Sequence, residues 1–105
     1  MKATRYNISI GLNDAYSKKE EVSTEELLKL LENYFTKNKI DFSLCRINGG
    51  YFYDDVGTFV NENSVVISYI TQSDYYIERF IAAIKMVMNQ ESILLEAKEI
   101  EVEYV

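Results

Sequence analysis

Two segments with helical periodicity, each flanked by segments with β-strand alternation, constrain the fold of this chain more than any other feature. Apolar residues recur at intervals of three and four in both helical segments, which predicts two amphipathic helices. The first segment carries Leu27, Leu28, Leu31, Tyr34 and Phe35, and the second carries Ile77, Phe80, Ile81, Ile84, Val87 and Met88.

Local signals place the ends of the helices. Ser23, followed three residues later by Glu26, forms a capping box, and Val22 can pack against Leu27 as a hydrophobic staple. Residues 37–39 suit the C-terminal end of this helix, where Asn tolerates a left-handed conformation and cations meet the helix dipole. Ser73 or Asp74 is predicted to cap the second helix.

The remaining periodicity indicates strands. Residues 4–12 and 40–45 alternate apolar and polar side chains, and residues 65–70 are rich in β-branched residues. Residues 48–50 interrupt the second strand, residues 51–60 form a short hairpin with an acidic turn closed by Gly57, and residues 61–64 form a further turn. Apolar residues change parity along the last extended segment, which predicts a β-bulge near Lys98.

The resulting order is β, α, β, hairpin, β, α, β. Strands separated by single helices at this length predict an α+β, ferredoxin-like split β-α-β sandwich, in which two helices cover one face of an antiparallel sheet and the hairpin is an extra insertion. A chain of 105 residues has the size of one domain, so residues 1–105 are assigned to a single domain. The N-terminus lacks a signal peptide and no long apolar window occurs, which predicts a cytoplasmic protein.

Composition excludes many kinds of site. The chain has 17 acidic and 11 basic residues, a net charge of −6, no His and one Cys, Cys45. Without His there can be no Ser-His-Asp or Cys-His pair, and neither a phosphate-binding loop nor a dinucleotide fingerprint surrounds the only glycine pair. No cofactor, no metal and no catalytic residue is therefore predicted, and direct nucleic-acid binding is disfavoured because the negative field repels phosphate.

Two surfaces are candidates for binding a partner. Tyr51, Tyr53, Asp54 and Asp55 place aromatic rings beside negative charge on the predicted hairpin, and Glu62 follows nearby in the sequence. The last strand carries an acidic stripe of Glu99, Glu101 and Glu103. Structural explanations stand beside both: the hairpin residues could serve turn formation and the core, and the glutamates could protect an edge strand from aggregation.

Parts of the sequence resemble small proteins of Firmicute phages and mobile elements. The resemblance rests on residues 6–14, on the capped helix at residues 23–26, and on residues 49–58 with Glu62 and Ser64 beyond. Some acidic single-domain proteins of these phages and elements are similar to anti-CRISPR proteins, which inhibit type II CRISPR nucleases such as Cas9. The resemblance implies a stoichiometric blocker that works inside a host bacterial cell and occupies a basic surface of a nuclease.

The sequence therefore leads to a non-enzymatic, protein-binding inhibitor as the first prediction, with Cas9 or its guide-RNA complex as a partner of suitable charge. One alternative is a ferredoxin-like small-molecule-binding protein or cofactorless enzyme, suggested by the surplus of aromatic residues. Such a site would need convergent polar groups and a carboxylate with a perturbed pKa. Another alternative is a structural or regulatory phage component that forms a homodimer.

Overall fold

The structure is a computed structural model that describes residues 1–73 and 77–105. Within these residues, four strands and two helices follow one another as β-α-β-β-α-β, which is the predicted order without the separate hairpin. The elements are β1 (Lys2–Gly11), α1 (Thr24–Lys37), β2 (Ser43–Tyr53), β3 (Thr58–Thr71), α2 (Ile77–Met88) and β4 (Leu94–Glu101). The strands form one antiparallel sheet in the order β2-β3-β1-β4, which confirms the ferredoxin-like prediction.

The core lies on one face of the sheet. Alternate side chains of the central strands, Ile8 and Ile10 of β1 with Val65 and Ile67 of β3, are at most 1% exposed. Both helices contribute to the same hydrophobic cluster, so both lie on this face. Their buried residues are Leu27, Leu31, Phe35, Phe80, Ile84 and Met88.

The predicted start of α1 is confirmed. The Ser23 hydroxyl accepts a hydrogen bond from the backbone N–H of Glu26 at 3.1 Å, and both halves of the capping box are present. The left-handed residue after the helix is Lys39 (φ 55°), whereas Asn38 has φ −91° and was wrongly expected to take that role. Asp74, one of the two predicted caps of α2, lies outside the described residues.

The hairpin is not an insertion. Strands β2 and β3 run continuously through residues 48–50 and 61–64, where an interruption and a turn were predicted, and they pair from Ser43↔Ser68 to Tyr53↔Thr58. The reason is tertiary: both strands belong to one long ladder, so backbone pairing overrides the local turn preference of Asn and Gly. The acidic turn is where it was predicted, and Gly57 in it has φ 66°.

Strand β4 pairs with β1 without a break, from Ser9↔Leu94 to Lys2↔Glu101, so the bulge predicted near Lys98 does not occur. The change of apolar parity has another cause. Ile100 lies opposite Ala3 on the face away from the helices; Ala3 is only 6% exposed and Ile100 is partly buried, so this corner shields apolar side chains on the second face as well. Among the described residues, neither helix is long and apolar enough to span a bilayer.

Candidate functional site

Three parts of the chain meet where β1 ends: the segment after β1, the end of α2 and the β2–β3 hairpin. The segment after β1 is anchored to β3, since the Asn13 side-chain amide donates to the Asn61 carbonyl at 2.8 Å. It is also anchored to the end of α2: the Ala15 N–H donates to the Asn89 carbonyl at 2.8 Å, and the Gln90 side-chain amide donates to the Asn13 carbonyl. With the β2–β3 hairpin, these segments surround one carboxylate, that of Glu62.

Glu62 is half-buried and held by two hydrogen bonds. The backbone N–H of Asn13 donates to its Oε2 at 3.0 Å, and the Gln90 side chain also hydrogen-bonds the carboxylate. Burial raises the pKa of Glu62 above its usual value, and the two hydrogen bonds oppose that rise because they favour the ionised form. A carboxylate with a perturbed pKa among convergent polar groups is a common mark of a functional site.

Two tyrosines of β2 lie beside this carboxylate. The Tyr51 and Tyr53 rings are 4.8 Å apart and edge to face, and the Tyr51 hydroxyl donates to Glu91 Oε2 at 3.1 Å. Burial raises the pKa of Tyr53 to about 12, and the negative charges of Glu62 and Glu91 add to the rise. Both carboxylates therefore act on the same phenol, and Tyr53 stays neutral at physiological pH.

Lys18 fixes one side of the site. Its ammonium group lies 4.4 Å from the centre of the Tyr53 ring, donates to the Ala15 carbonyl and pairs with Asp55 at 2.8 Å. The hydrogen bond from Lys18 lowers the pKa of Asp55. Because Asp55 neutralises this lysine, the two remaining carboxylates give the site a net negative charge.

Asp14 shapes the loop that carries Lys18. It accepts hydrogen bonds from the Asn89 side chain at 3.0 Å and from the backbone N–H groups of Tyr16 and Ser17 at 2.8 and 3.1 Å. The Asn89 bond, followed by the two backbone bonds, lowers the pKa of Asp14, so it is ionised at neutral pH. This aspartate therefore links the end of α2 to the loop that carries Lys18.

The structure brings four of the predicted site residues together: Tyr51, Tyr53, Asp55 and Glu62. Asp54 is exposed in the turn at the end of the hairpin. The stripe of Glu99, Glu101 and Glu103 is elsewhere, because the first two lie on β4, at the opposite edge of the sheet from β2, and the third follows that strand. Glu101 there pairs with the N-terminal ammonium group at 3.0 Å.

Four residues around Glu62 and the two tyrosines were not predicted from the sequence: Asn13, Lys18, Gln90 and Glu91. A usable signal existed for three of them: polar residues follow directly after an apolar strand and directly after an apolar helix, at Asn13 and at residues 89–91. Such positions at the ends of elements commonly carry functional side chains. Nothing in the local sequence singles out Lys18.

The arrangement is suited to bind a small organic cation. It offers two carboxylates, two aromatic rings and a cluster of amide groups, and onium groups are recognised by negative charge together with aromatic rings. Among residues 1–73 and 77–105, no group of three or more His, Cys, Asp or Glu side chains could hold a metal ion. The site lies at the surface of the chain, where a ligand could reach Glu62.

No protein-family model matches the sequence, and no curated protein sequence does. Among solved structures, the chain is similar to a phage SAM lyase in complex with S-methyl-5'-thioadenosine, with a TM-score of 0.74, 24% identity, and coverage of 92% of this chain and 81% of that chain. It is also similar to a phage SAM lyase in the apo state, with a TM-score of 0.68, 26% identity, and coverage of 91% and 79%.

These findings contradict the prediction of a non-enzymatic anti-CRISPR inhibitor, because the similar structures are enzymes. Lack of His excludes histidine-based catalysis, but it does not exclude enzymes whose substrate carries its own reactive groups. The predicted basic protein partner and the predicted homodimer are tested by none of these findings and stay predictions, as does the assignment of residues 1–105 to a single domain.

Proposed function

We propose that this protein is a lyase that cleaves S-adenosylmethionine and releases S-methyl-5'-thioadenosine. The observation that carries the proposal is the similarity to a phage SAM lyase at 26% identity over 91% of this chain. The cluster around Glu62 supports it, since a negatively charged, aromatic site suits a substrate that carries a sulfonium and an ammonium group. We place the reaction in the cytoplasm of the host bacterial cell, where this substrate is made.

The products limit the reaction. Methylthioadenosine forms when the bond between the sulfonium sulfur and Cγ of the methionine part breaks and the bonding pair stays on sulfur. In a lyase reaction water does not enter, so the four-carbon fragment must either lose a proton from Cβ and become an alkene, or close onto its own carboxylate and become a lactone. Both routes balance without a cofactor or a redox partner.

The site favours closure to the lactone. The proton on Cβ is only weakly acidic, and a glutamate, even with a raised pKa, is a weak base for it. Closure needs no base, because the substrate's carboxylate oxygen bonds to Cγ as the sulfur leaves, giving a five-membered ring. Holding the carboxylate and Cγ together contributes greatly, since well-oriented intramolecular reactions reach effective molarities on the order of 10⁵ M and above.

Charge decides what Glu62 does. During closure a carboxylate and a sulfonium neutralise each other, so a protein anion beside the sulfonium would stabilise the substrate more than the transition state. The α-ammonium group keeps its charge throughout. We therefore assign the Glu62 carboxylate to the ammonium group, where it orients the reacting chain, and we assign the region of Tyr51 to the sulfonium, where an aromatic surface of low polarity favours the loss of charge.

The proposal is tested by incubating the purified protein with S-adenosylmethionine and separating the products by liquid chromatography and mass spectrometry. Methylthioadenosine and homoserine lactone are expected in equal amounts, well above a protein-free control. S-adenosylhomocysteine, a thioether without the cationic leaving group, is expected to stay intact. Production of methylthioadenosine no faster than in the protein-free control would end the proposal.

Isotope labelling separates the routes. In water enriched in ¹⁸O, direct hydrolysis would place the label in the γ-hydroxyl group of homoserine. Lactone formation followed by opening at the carbonyl carbon would place it in the carboxyl group. An alkene product would show that Cβ loses a proton and would remove the assigned role of Glu62.

A further inference from the structure

Gly11, the last residue of β1, lies directly beneath the Glu62 carboxylate. A Cβ atom at this position would lie 2.5 Å from Cδ and Oε2 of Glu62 and 2.6 Å from Oε1, closer than real Cβ atoms approach. Its backbone does not require glycine, because Gly57 is the glycine with a positive φ among the described residues. Glycine is therefore required here for space, and the space is filled by one carboxylate.

Asn13 and Gln90 hold the same carboxylate from its other sides. Asn13 is 5% exposed, and its backbone N–H points at Glu62 while its side chain is tied to β3. Gln90 bonds both the carbonyl of Asn13 and the carboxylate of Glu62. The carboxylate thus has a seat made of three parts: the bare backbone of Gly11, the N–H of Asn13 and the side chain of Gln90.

We propose that Gly11 is a positioning residue, which seats the Glu62 carboxylate so that its free edge meets the ammonium group of the substrate. The inference rests on the proposed function for its substrate, but the seat itself is a property of the free protein. A side chain at residue 11 would push the carboxylate away from the Asn13 N–H, and the three atoms nearest to it all belong to the flexible end of the Glu62 side chain. The fold should therefore tolerate the change while the site does not.

The test is Gly11→Ala, with Gly50→Ala as the matched control. Gly50 is also a strand glycine without a positive φ, and a Cβ there meets only ordinary contacts at 3.8 and 3.9 Å. We expect Gly11→Ala to lower kcat/KM by roughly 10-fold, less than removal of the charge itself, because a displaced carboxylate keeps part of its attraction for the ammonium group, with most of the change in KM. Gly50→Ala should match the unmodified protein, and circular dichroism should find all variants folded.

A double-mutant cycle separates positioning from a general structural effect. In a Glu62→Gln background, Gly11→Ala is expected to change kcat/KM by no more than about twofold, because the charge that it displaces is already gone. Equal losses in both backgrounds, or full activity of Gly11→Ala, would overturn the inference. If Gly11→Ala does not fold, Gln90→Ala removes the hydrogen bond that Glu62 receives from the segment after α2. Gln90→Ala should then lower kcat/KM in the unmodified protein and have little effect in the Glu62→Gln background.

A readout without substrate distinguishes failure of the inference from failure of the proposed function. The amide proton of Asn13 donates to a carboxylate, so its NMR resonance should move upfield in Gly11→Ala and stay in place in Gly50→Ala. If the unmodified protein cleaves nothing but this shift occurs, the proposed function fails and the seat stands. An unmoved Asn13 resonance overturns the seat whatever the activity is.

Discussion

Replacing Glu62 with glutamine removes the charge assigned to the ammonium group and changes the shape of the side chain little. A carboxylate and an ammonium group about 4 Å apart attract by roughly 4 kcal/mol at an effective dielectric constant near 20. Glu62 is half-buried and open to solvent on one side, so screening reduces the useful part to about 2 kcal/mol. We therefore expect Glu62→Gln to lower kcat/KM for S-adenosylmethionine by about 30-fold.

The same substitution should not destabilise the fold. Folding raises the pKa of Glu62, because burial outweighs its hydrogen bonds, so the folded protein holds more protons than the unfolded chain just above the usual glutamate pKa. The free energy of unfolding consequently falls as the pH rises through that window, and at neutral pH the ionised carboxylate carries a desolvation cost. Glutamine carries no such charge, so the melting temperature of Glu62→Gln at pH 7 should be no lower than that of the unmodified protein.

The assay follows methylthioadenosine release at several substrate concentrations, with thermal unfolding measured in parallel. Glu32→Gln is the matched control, since Glu32 is exposed on α1, outside the cluster. Full activity of Glu62→Gln would refute the assigned role. A loss of activity accompanied by an equal loss in Glu32→Gln would point to net charge instead of this one carboxylate.

Three further outcomes are expected. The value of kcat/KM should fall in acid with an inflection above the usual glutamate pKa, since burial raises the pKa of Glu62 and only its ionised form binds the ammonium group; an inflection that survives in Glu62→Gln contradicts this. Lys18→Met should lower the melting temperature and raise KM, because it removes both the ion pair with Asp55 and the cation–π contact with the Tyr53 ring. Lys29→Met, at an exposed position of α1, should do neither. Ser23→Ala should cost about 1 kcal/mol by chemical unfolding, and Ser23→Asp should restore it, while equal stability of all three would deny the cap.

Most of the fold could be read from the sequence because its signals are local. Hydrophobic period and capping chemistry are properties of neighbouring residues, so both helices, the order of the elements and the ferredoxin-like sheet were predicted. The signals that misled were local as well. Glycines and asparagines at residues 48–50 and 61–64 indicated breaks, but pairing between β2 and β3 carries the strands through them.

The part of the site that lies on one stretch of the chain was predicted for the same reason. Tyr51, Tyr53 and Glu62 are close in sequence and were proposed together, although as a surface for a protein partner. The residues that hold Glu62 come from the segments after β1 and after α2, and Gln90 is 77 residues from Asn13 along the chain. No periodicity reports a contact of that separation.

Composition alone settled that this chain has no histidine, which excludes histidine-based catalysis, and that it has an excess of acidic groups. Only the tertiary structure decided that one of the acids is half-buried, hydrogen-bonded and seated over a glycine. The physical reason is that the reactivity of a carboxylate depends on its solvation and its neighbours, which a folded chain assembles from distant segments.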